Sequence, residues 1–407
     1  MKCRHCGKDL ENVFLDLGFA PPSNAYLTEQ QLNSPEVTLP LRLFVCDGCW
    51  LVQTEDFTRP SDLFDFDYAY YSSTSQIWLE HAAQYVDMVS ARFELGRDSF
   101  VVEIASNDGY LLRNFLSPGI PCLGIEPTIG TAQVAENLGI PVLKKFFNSN
   151  LARKLALDKK ADIIVGNNVY AHVPDINDFT LGMRELLKEE GVITLEFPHL
   201  QKLIENNQFD TVYHEHFSYL SLHTVSKIFA LAGLRIWDVE ELPTHGGSLR
   251  VYGCHDGARW VVEPSVSALL DKERSFGLQD LARYKSFQLR ANRVKDDLVL
   301  FLIEQKRVGK TVAAYGAAAK GNTLLNYAGV KPDLLPFVCD AATAKQGKYL
   351  PGSHIPILNP QAIRDVKPDF VLIFPWNIAA EVDRQNSHIR DWGGKFVVAV
   401  PEIRVWS

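Results

Sequence analysis

The sequence predicts an α/β protein in which a small cysteine-rich module precedes two doubly wound parallel sheets. Apolar runs typical of strands alternate with helical runs of about 10 to 15 residues, a pattern typical of parallel sheets. This alternation starts twice, and each start places a turn of small residues between the first strand and the first helix. On the N-terminal side of the first sheet, two C-x-x-C pairs lie in a segment with poor helical periodicity. This indicates a small, loop-rich module that needs a metal ion or disulfides to be stable.

The composition is that of a soluble globular enzyme with more than one domain. The chain has 407 residues, of which 46% are hydrophobic and 22% charged, and its formal net charge of -8 argues against a nucleic-acid partner. It contains no run of about 18 apolar residues, and its start, MKCRHCGKDL, has no apolar signal-peptide core. We therefore expect a cytoplasmic protein without a membrane span, in which paired cysteines hold a metal rather than a disulfide.

Residues 1–75 form the cysteine-rich module, and its four paired cysteines are candidate zinc ligands. Cys3, Cys6, Cys46 and Cys49 supply soft thiolates, which suit tetrahedral zinc. Both pairs lie in glycine-containing turns, CRHCGK and CDGCW. A redox dithiol, two unrelated pairs and a rubredoxin-like iron site are the alternatives. Four thiolates leave no open coordination position, so the predicted role of the zinc is structural.

Residues 76–264 contain the first sheet, and its first turn predicts an adenosine-type ligand. The strand in VVEIASNDGYLL ends near Glu103, and small residues lead into a helix near Gly109, where backbone N–H groups can meet a ligand. A dinucleotide fold prefers G-x-G-x-x-G, so the sequence EIASNDG disfavours NAD. Glu126 ends the next strand, where a carboxylate can accept both hydroxyls of a ribose. Together these features favour S-adenosylmethionine over NAD. The runs LRIWDVEEL and SLRVYGCH are candidates to extend this sheet.

The segment TVYHEHFSYLS places two histidines, a glutamate and two tyrosines directly after the strand GVITLEF. Ligands bind at the carboxyl ends of such strands, so this density of polar groups predicts acid–base chemistry. His216 and Tyr213 are the candidate proton handlers, and Glu215 is an orienting residue or the acceptor of a substrate hydroxyl. In an extended segment His214 and His216 would point the same way, so a metal site is the alternative. His172 follows the strand ADIIVGN at the same edge, where a structural and a catalytic role are both open.

Residues 265–306 are charged and helix-rich and predict a helical bridge, and residues 307–407 carry the second sheet. Its first turn, YGAAAKGNT, joins a strand to a helix through small residues and Lys320. This arrangement predicts a phosphate cradle, although it is not a Walker A sequence. Tight packing of the helix on the strand is the alternative explanation.

Over its whole length the chain resembles the S-adenosylmethionine-dependent C-methyltransferases that act at C-3 of nucleotide-linked 4-keto-deoxyhexoses. The residues that carry the resemblance are CRHC…CDGC, DYAYYSS, EIASNDGYLL, GIEPT, YHEHFSYLS, THGGSLRVY and AAYGAAAKGNTLLNY. The family usually has glycine where this chain has Ala105. The resemblance implies a zinc-binding module, a Rossmann-like methyltransferase domain, and a second, C-terminal Rossmann-like domain that helps to hold a nucleotide sugar.

The resemblance also implies roles for individual residues. It makes His216 the base and places an active-site tyrosine of the zinc module at Tyr70, with Tyr68 as the other candidate. The expected catalytic residues are His216, Tyr213, Glu215, His172 and Tyr70. The residues expected to bind S-adenosylmethionine are Glu103, Ala105, Ser106, Asn107, Asp108, Gly109, Glu126, Pro127, Asn167 and Asn168. The residues expected to bind the sugar substrate are Tyr68, His245, Lys320 and Asn322.

The implied reaction belongs to branched deoxysugar biosynthesis. A base removes the C-3 proton of a dTDP- or GDP-linked 4-keto-6-deoxyhexose, and the resulting enolate takes the methyl group of S-adenosylmethionine. We expect a monomer whose partner is this nucleotide-linked keto-sugar. The alternatives are a nucleotide-sugar-binding protein that has lost catalysis and an NAD-dependent sugar oxidoreductase.

Overall fold

The computed structural model describes residues 1–57 and 71–407, which form three β-sheets with helices packed around them. Tyr68 and Tyr70 lie outside the described residues. The strands are β1 (Asn12–Ala20), β2 (Leu39–Val45), β3 (Val52–Thr54), β4 (Val101–Ile104), β5 (Cys122–Ile125), β6 (Val142–Leu143), β7 (Ala161–Asn167), β8 (Leu187–Pro198), β9 (Ser218–Tyr219), β10 (Leu234–Leu242), β11 (Ser248–His255), β12 (Val312–Tyr315), β13 (Val338–Cys339), β14 (Ile357–Leu358), β15 (Phe370–Ile373), β16 (Lys395–Val398) and β17 (Arg404–Trp406). The α-helices are α1 (Gln76–Arg92), α2 (Arg113–Leu116), α3 (Ile129–Asn137), α4 (Ser149–Ala156), α5 (Ile176–Leu186), α6 (Leu200–Glu205), α7 (Leu222–Leu231), α8 (Pro264–Phe276), α9 (Leu281–Lys285), α10 (Phe287–Arg307), α11 (Ala319–Ala328), α12 (Gln361–Val366) and α13 (Ala379–Gln385).

The first sheet is antiparallel, has the order β1-β2-β3-β9, and belongs mainly to the N-terminal module. Three of its strands come from the first 54 residues, whereas β9 follows the YHEH segment much later in the chain. Val52 lies opposite Tyr219, and Gln53 lies opposite Ser218. The chain directly after the YHEH segment is therefore an edge strand of the N-terminal module.

The second sheet has seven strands in the order β10-β11-β8-β7-β4-β5-β6. Strands β4 to β8 run parallel, and β11 is antiparallel to both of its neighbours. All four residues of β4 are buried, as a parallel strand covered on both faces requires. The chain runs outward from β4 through β5 and β6 and then returns to β7 on the other side of β4. Doubly wound sheets bind ligands beyond the carboxyl ends of their strands at such a reversal.

The third sheet has the order β14-β13-β12-β15-β16-β17 and is parallel except for β17. Its strand order reverses between β12 and β15, so the molecule has a second point of the same kind. The prediction of two doubly wound sheets is therefore confirmed. The runs LRIWDVEEL and SLRVYGCH are β10 and β11, and they extend the first of these two sheets as predicted.

Helices α8 to α10 lead from the second sheet to the third, and α9 and α10 cover the N-terminal module. Phe14 of β1 stacks on Phe287 with ring centroids 4.8 Å apart and meets Tyr284 edge-on at 5.2 Å. This apolar core continues into the third sheet, whereas the cysteine-rich end of the module shares a core with the second sheet. The N-terminal module therefore packs against both parallel sheets. Within the two described ranges, no helix combines the length and apolar character that a membrane crossing requires.

Candidate active site

A cavity of about 660 Å³ lies where the carboxyl ends of β4 and β7 face the start of α11. The second sheet contributes the loops after these strands, and the third sheet contributes Ala318, Ala319 and Lys320. The N-terminal module reaches the same wall through Asn24. Both strand-order reversals therefore open onto one space, which is large enough for a sizeable organic ligand.

The loop after β4 is a tight turn that brings its backbone to the cavity. Ala105 and Asn107 adopt left-handed conformations with φ of 58° and 49°, and Gly109 follows with φ of 77°. A Cβ at Gly109 would lie 2.5 Å from Cδ1 of Ile140, so a side chain there would displace its neighbour. Ala105 lines the cavity and adopts a backbone conformation that favours glycine, the residue that the resemblance leads one to expect.

Two buried carboxylates lie at and behind this loop. Glu126 lines the cavity, and its oxygens accept hydrogen bonds from the backbone N–H groups of Asn107 at 2.9 Å and Thr128 at 2.8 Å. Burial raises the pKa of Glu126 above its usual value, while these N–H groups act in the opposite direction. Behind it, neither carboxylate oxygen of Glu103 has a hydrogen-bond partner in the described part of the chain, and burial raises its pKa well above the usual range. The negative charges of Glu126 and Asp108 raise the pKa of Glu103 further.

The end of β7 presents two asparagines to the cavity. Both polar atoms of the Asn167 side chain are buried and have no hydrogen-bond partner among the residues that the structure describes. Asn168 has a left-handed backbone with φ of 54°, and its Nδ2 donates to Nε2 of His245 at 3.2 Å. A buried amide without partners is costly, so a ligand that pairs with Asn167 would gain that free energy on binding.

The loop after β6 forms part of the cavity wall, although no motif in the sequence predicted it. Lys145, Phe146 and Phe147 line the cavity together with Pro127. Phe147 packs edge-on against Phe179 at a ring-centroid distance of 5.2 Å. Flat apolar surfaces of this kind suit a purine ring. The signal was present in the sequence, because two phenylalanines follow the end of a parallel strand.

His172 and His216 lie side by side in the cavity wall, with ring centroids 4.6 Å apart. Nδ1 of His172 donates to the carbonyl oxygen of Glu215 at 2.8 Å, and Nδ1 of His216 donates to that of Thr211 at 3.2 Å. A carbonyl oxygen can only accept, so both neutral rings carry their proton on Nδ1 and a lone pair on Nε2. Burial lowers the pKa of His172 to about 4 and that of His216 well below its usual 6.5. Both imidazoles are therefore neutral at pH 7 and can accept a proton.

Tyr213 also lines the cavity, whereas Glu215 lies behind its wall. The Tyr213 ring centroid is 4.1 Å from that of His216. The Glu215 carboxylate is buried and accepts hydrogen bonds from Ser23 Oγ at 3.0 Å and Asn24 Nδ2 at 3.1 Å, both in the N-terminal module. Glu215 thus holds its own segment in place through its side chain and holds the His172 ring through its carbonyl oxygen. The sequence offered no signal for Ser23 and Asn24 as its partners.

His214 points away from the cavity, so the alternative of a metal site shared by His214 and His216 does not fit the structure. Nε2 of His214 donates to the carbonyl oxygen of Pro40 at 3.2 Å, on the side of the N-terminal module. The segment is not an extended strand at this point, because regular pairing begins only at Ser218. The YHEH segment therefore contributes His216 and Tyr213 to the cavity and His214 to packing.

The third sheet brings two lysines to the cavity. Lys320, at the start of α11, donates to Oδ1 of Asn377 at 2.7 Å and lies over the Trp376 ring at 4.5 Å. Lys345, which sequence analysis missed, lines the cavity too and donates to the carbonyl oxygen of Ala317 at 2.9 Å.

Of the other two predicted sugar contacts that the structure describes, one reaches the cavity. His245 lines it, and burial lowers its pKa to about 4. Asn322 does not reach it, because its side chain is buried and Nδ2 donates to the carbonyl oxygen of Ser23 at 2.5 Å. The structure therefore places Asn322 in the contact between α11 and the N-terminal module.

The four paired cysteines converge on one point in the N-terminal module. Their sulfur atoms all lie within 4.8 Å of one another, with 3.5 Å between Cys3 and Cys49 and between Cys6 and Cys46. Tetrahedral zinc with Zn–S bonds of about 2.3 Å sets sulfur atoms about 3.8 Å apart, so the quartet fits the ion. All four thiolates are used as ligands, which makes the site structural rather than catalytic.

Three features together define a class of protein. A seven-stranded doubly wound sheet presents a cradle for an adenosine ligand, neutral imidazoles face the same cavity, and a four-cysteine zinc site supports the module behind them. This is the architecture of an S-adenosylmethionine-dependent methyltransferase with an N-terminal zinc module.

Comparisons with known proteins identify the family. Three family models match, described as "Putative zinc binding domain" over residues 3–64, "Methyltransferase domain" over residues 78–239 and "C-methyltransferase C-terminal domain" over residues 243–401. The chain is 35% identical over 407 residues to the C-methyltransferase NovU of Streptomyces niveus, covering 100% of this chain and 97% of the relative. The chain therefore belongs to the family of S-adenosylmethionine-dependent C-methyltransferases, with S-adenosylmethionine as cofactor and zinc as structural metal.

Solved methyltransferase structures show a more distant similarity. An S-adenosylmethionine-dependent methyltransferase from Clostridium acetobutylicum has a TM-score of 0.37 and 14% identity, over 44% of this chain and 92% of that one. The magnesium protoporphyrin IX methyltransferase of Synechocystis has a TM-score of 0.33 and 15% identity, over 44% of this chain and 81% of that one.

Proposed function

We propose that this C-methyltransferase methylates C-3 of a dTDP- or GDP-linked 4-keto-6-deoxyhexose in branched deoxysugar biosynthesis. The observation that carries the proposal is the pair of neutral imidazoles, His172 and His216, in a cavity that also contains an adenosine cradle and two lysines. A carbon next to a ketone becomes a nucleophile once a base removes its proton. Neutral histidines shielded from water suit that step.

His216 acts as the base in this proposal. Its Nδ1–H is bound to the Thr211 carbonyl oxygen, so Nε2 takes the C-3 proton and the electron pair moves onto the ketone oxygen to give an enolate. S-adenosylmethionine supplies an electrophilic methyl group, which forms a bond to C-3 as its bond to sulfur breaks. Glu103, Ala105, Ser106, Asn107, Asp108, Gly109, Glu126, Pro127, Asn167 and Asn168 hold the cofactor in this proposal, either directly or by shaping the loops.

The enolate oxygen needs a hydrogen-bond donor, and the tautomers favour a tyrosine over His172. Nε2 of His172 carries no proton in the neutral ring, because Nδ1–H is committed to the Glu215 carbonyl oxygen. Tyr213 lines the cavity beside His216 and carries a hydroxyl donor. We therefore assign enolate stabilisation to Tyr213, with Tyr70 or Tyr68 as further candidates, and assign to His172 the acceptance of a proton from a substrate hydroxyl or amine.

Lys320 and Lys345 bind the anionic part of the substrate in this proposal. Both lysines line the cavity from the third sheet. Lys320 lies at the start of α11, where backbone N–H groups add positive potential. A diphosphate carries the matching negative charge. His245 contacts the sugar in this proposal, and Asn322 supports the wall from α11.

The proposal also covers the setting in which the enzyme acts. We place it in the cytoplasm as a monomer that needs no nucleic acid. Zinc-bound thiolates suit a reducing compartment, and the net charge of -8 disfavours a polyanionic partner.

The test is incubation with S-adenosylmethionine and a panel of dTDP- and GDP-linked 4-keto-6-deoxyhexoses. We expect one sugar to gain the mass of one methyl group. In heavy water without S-adenosylmethionine, the same sugar should exchange its C-3 proton for deuterium, because deprotonation precedes transfer. A mass gain without C-3 exchange would place the methyl group elsewhere, and no mass gain with any keto-sugar would overturn the substrate class.

A further inference from the structure

Arg4 lies between the zinc ligands Cys3 and Cys6, but its side chain extends away from the zinc site. The side chain is 5% exposed, and its guanidinium does not line the active-site cavity. A buried guanidinium requires acceptors. Those of Arg4 belong to the loop after His172 and to the chain at β3, which is hydrogen-bonded to His216.

The first of these segments is the loop after His172. Nη1 of Arg4 donates to the carbonyl oxygen of Pro174 at 2.9 Å. Beside it, Nδ1 of His5 donates to Oδ1 of Asn177 at 2.8 Å, and Nδ2 of Asn177 donates to the His5 carbonyl oxygen at 2.8 Å. The turn between the first two zinc ligands is thus bound to the His172 loop at Pro174 and to the first turn of α5 at Asn177.

The second segment is β3, which holds the chain at His216. Nη2 of Arg4 donates to the carbonyl oxygen of Thr54 at 3.2 Å and to Oδ1 of Asp56 at 2.7 Å. Thr54 in turn donates from Oγ1 to the His216 carbonyl oxygen and from its backbone N–H to that of Phe217, both at 3.2 Å. The Arg4 guanidinium also lies over the Phe217 ring at 5.4 Å.

We propose that Arg4 is a positioning residue for methyl transfer, because it ties the His172 loop to the strand that holds His216. The kinetic consequence rests on the function proposed above. Arginine suits this role because its planar guanidinium has two Nη groups, one of which donates to Pro174 and the other to Thr54. A lysine has a single ammonium group and cannot reach both in the same geometry.

The kinetic test compares Arg4→Lys and Arg4→Ala with the matched control Arg42→Ala. Arg42 belongs to the same module and pairs with Glu55, next to Asp56, but contacts neither histidine segment. With zinc still bound, we expect kcat to fall roughly 10- to 100-fold in Arg4→Ala and by less in Arg4→Lys, since small misplacements of reacting groups are costly. The affinity for S-adenosylmethionine should be unchanged in all three variants, and Arg42→Ala should keep the wild-type kcat. A wild-type kcat in zinc-loaded Arg4→Lys and Arg4→Ala would overturn the proposal.

A second measurement needs no sugar substrate and therefore separates this proposal from the proposed function. Nitrogen-15 spectra of the histidine rings report the tautomer of His172 and His216. We expect a single Nδ1–H tautomer for each in the wild type and a tautomer mixture for His172 in zinc-loaded Arg4→Lys, which keeps the positive charge even if Arg4→Ala fails to fold. Unchanged imidazole signals in Arg4→Lys would overturn the positioning role. If the wild type methylates no keto-sugar, the proposed function fails, and these spectra still decide the role of Arg4.

Discussion

His214 and His216 are two residues apart, but their side chains lie in different environments. His216 lines the cavity beside Tyr213 and His172, whereas His214 donates to the Pro40 carbonyl oxygen in the N-terminal module. The pair therefore offers a test at the scale of single residues, in which the same substitution removes a base at one position and a packing contact at the other.

We expect His216→Asn to lower kcat roughly 100- to 10,000-fold, the usual contribution of a general base. An asparagine can still donate from Nδ2 to the Thr211 carbonyl oxygen, so the fold should persist, but it has no basic nitrogen. S-adenosylmethionine should still bind, as measured by calorimetry. His214→Asn is the matched control and should keep kcat close to that of the wild type. Equal losses in the two variants would contradict the assignment of His216 as the base.

The pH dependence of the reaction should reflect the burial of His216. Burial lowers the pKa of His216 well below 6.5, and the neighbouring His172 lowers it further. A base acts in its neutral form, so kcat/KM should persist as the pH falls through 6.5 and decline only below it. The measurement is kcat/KM between about pH 5 and pH 8. Because a depressed histidine pKa also destabilises the fold in acid, circular dichroism at each pH is the control. A decline centred at or above pH 6.5 would contradict the prediction.

At the scale of elements, the sequence predicted those turns whose conformation depends on neighbouring residues in the chain. The turn after β4 was predicted from the small residues between Glu103 and Gly109, and the lysine at the start of α11 was predicted from YGAAAKGNT. The pairing of β3 with β9 was not predicted, because β9 has two residues and its partner is remote in sequence. The hydrogen bonds from Ser23 and Asn24 to Glu215 were not predicted either. Hydrophobic periodicity carries no information about contacts between loops that are distant in the sequence.

The β3–β9 pairing gives the zinc site a specific consequence for catalysis. Cys46 and Cys49 lie in the turn between β2 and β3, and β3 holds the chain at His216 through Thr54. The cofactor loops follow β4, β5 and β7 instead. We therefore expect removal of zinc to abolish methyl transfer while S-adenosylmethionine still binds, because four-cysteine sites contribute directly to folding of their modules.

The measurement for zinc removal is methyl transfer, with calorimetry for S-adenosylmethionine, before and after a chelator. Metal analysis gives the zinc content at each step. Restoring zinc should restore transfer, which separates loss of the metal from irreversible damage. Full activity in zinc-free protein would show that the module keeps its shape without the ion.

At the scale of the whole molecule, the three sheets surround one cavity, and each contributes a different part of the proposed site. In the proposed function the second sheet holds the cofactor, the first sheet holds the segment of His216, and the third sheet supplies the lysines. The loop after β15 of the third sheet contacts the segment before the YHEH residues directly, because Nε1 of Trp376 donates to Oδ2 of Asp210 at 2.7 Å. A Cβ at Gly246 would lie 2.4 Å from the same tryptophan ring, so the THGG turn also packs closely there. This division predicts that the affinities for the two substrates are separable by mutation.

Lys320→Ala should therefore raise KM for the nucleotide sugar and leave KM for S-adenosylmethionine unchanged. A charge-assisted hydrogen bond contributes about 1.5 to 3 kcal/mol, which corresponds to roughly 10- to 100-fold in KM. Lys345→Ala should act in the same direction, because Lys345 lines the cavity from the same sheet. Lys306→Ala is the control, since Lys306 is exposed and pairs with Asp333 outside the cavity. Inhibition by the free nucleoside diphosphate shows which part of the substrate Lys320 contacts. If Lys320 binds the diphosphate, the inhibition constant should rise in Lys320→Ala by the same factor as KM. If the inhibition constant stays constant while KM rises, Lys320 contacts the sugar rather than the diphosphate.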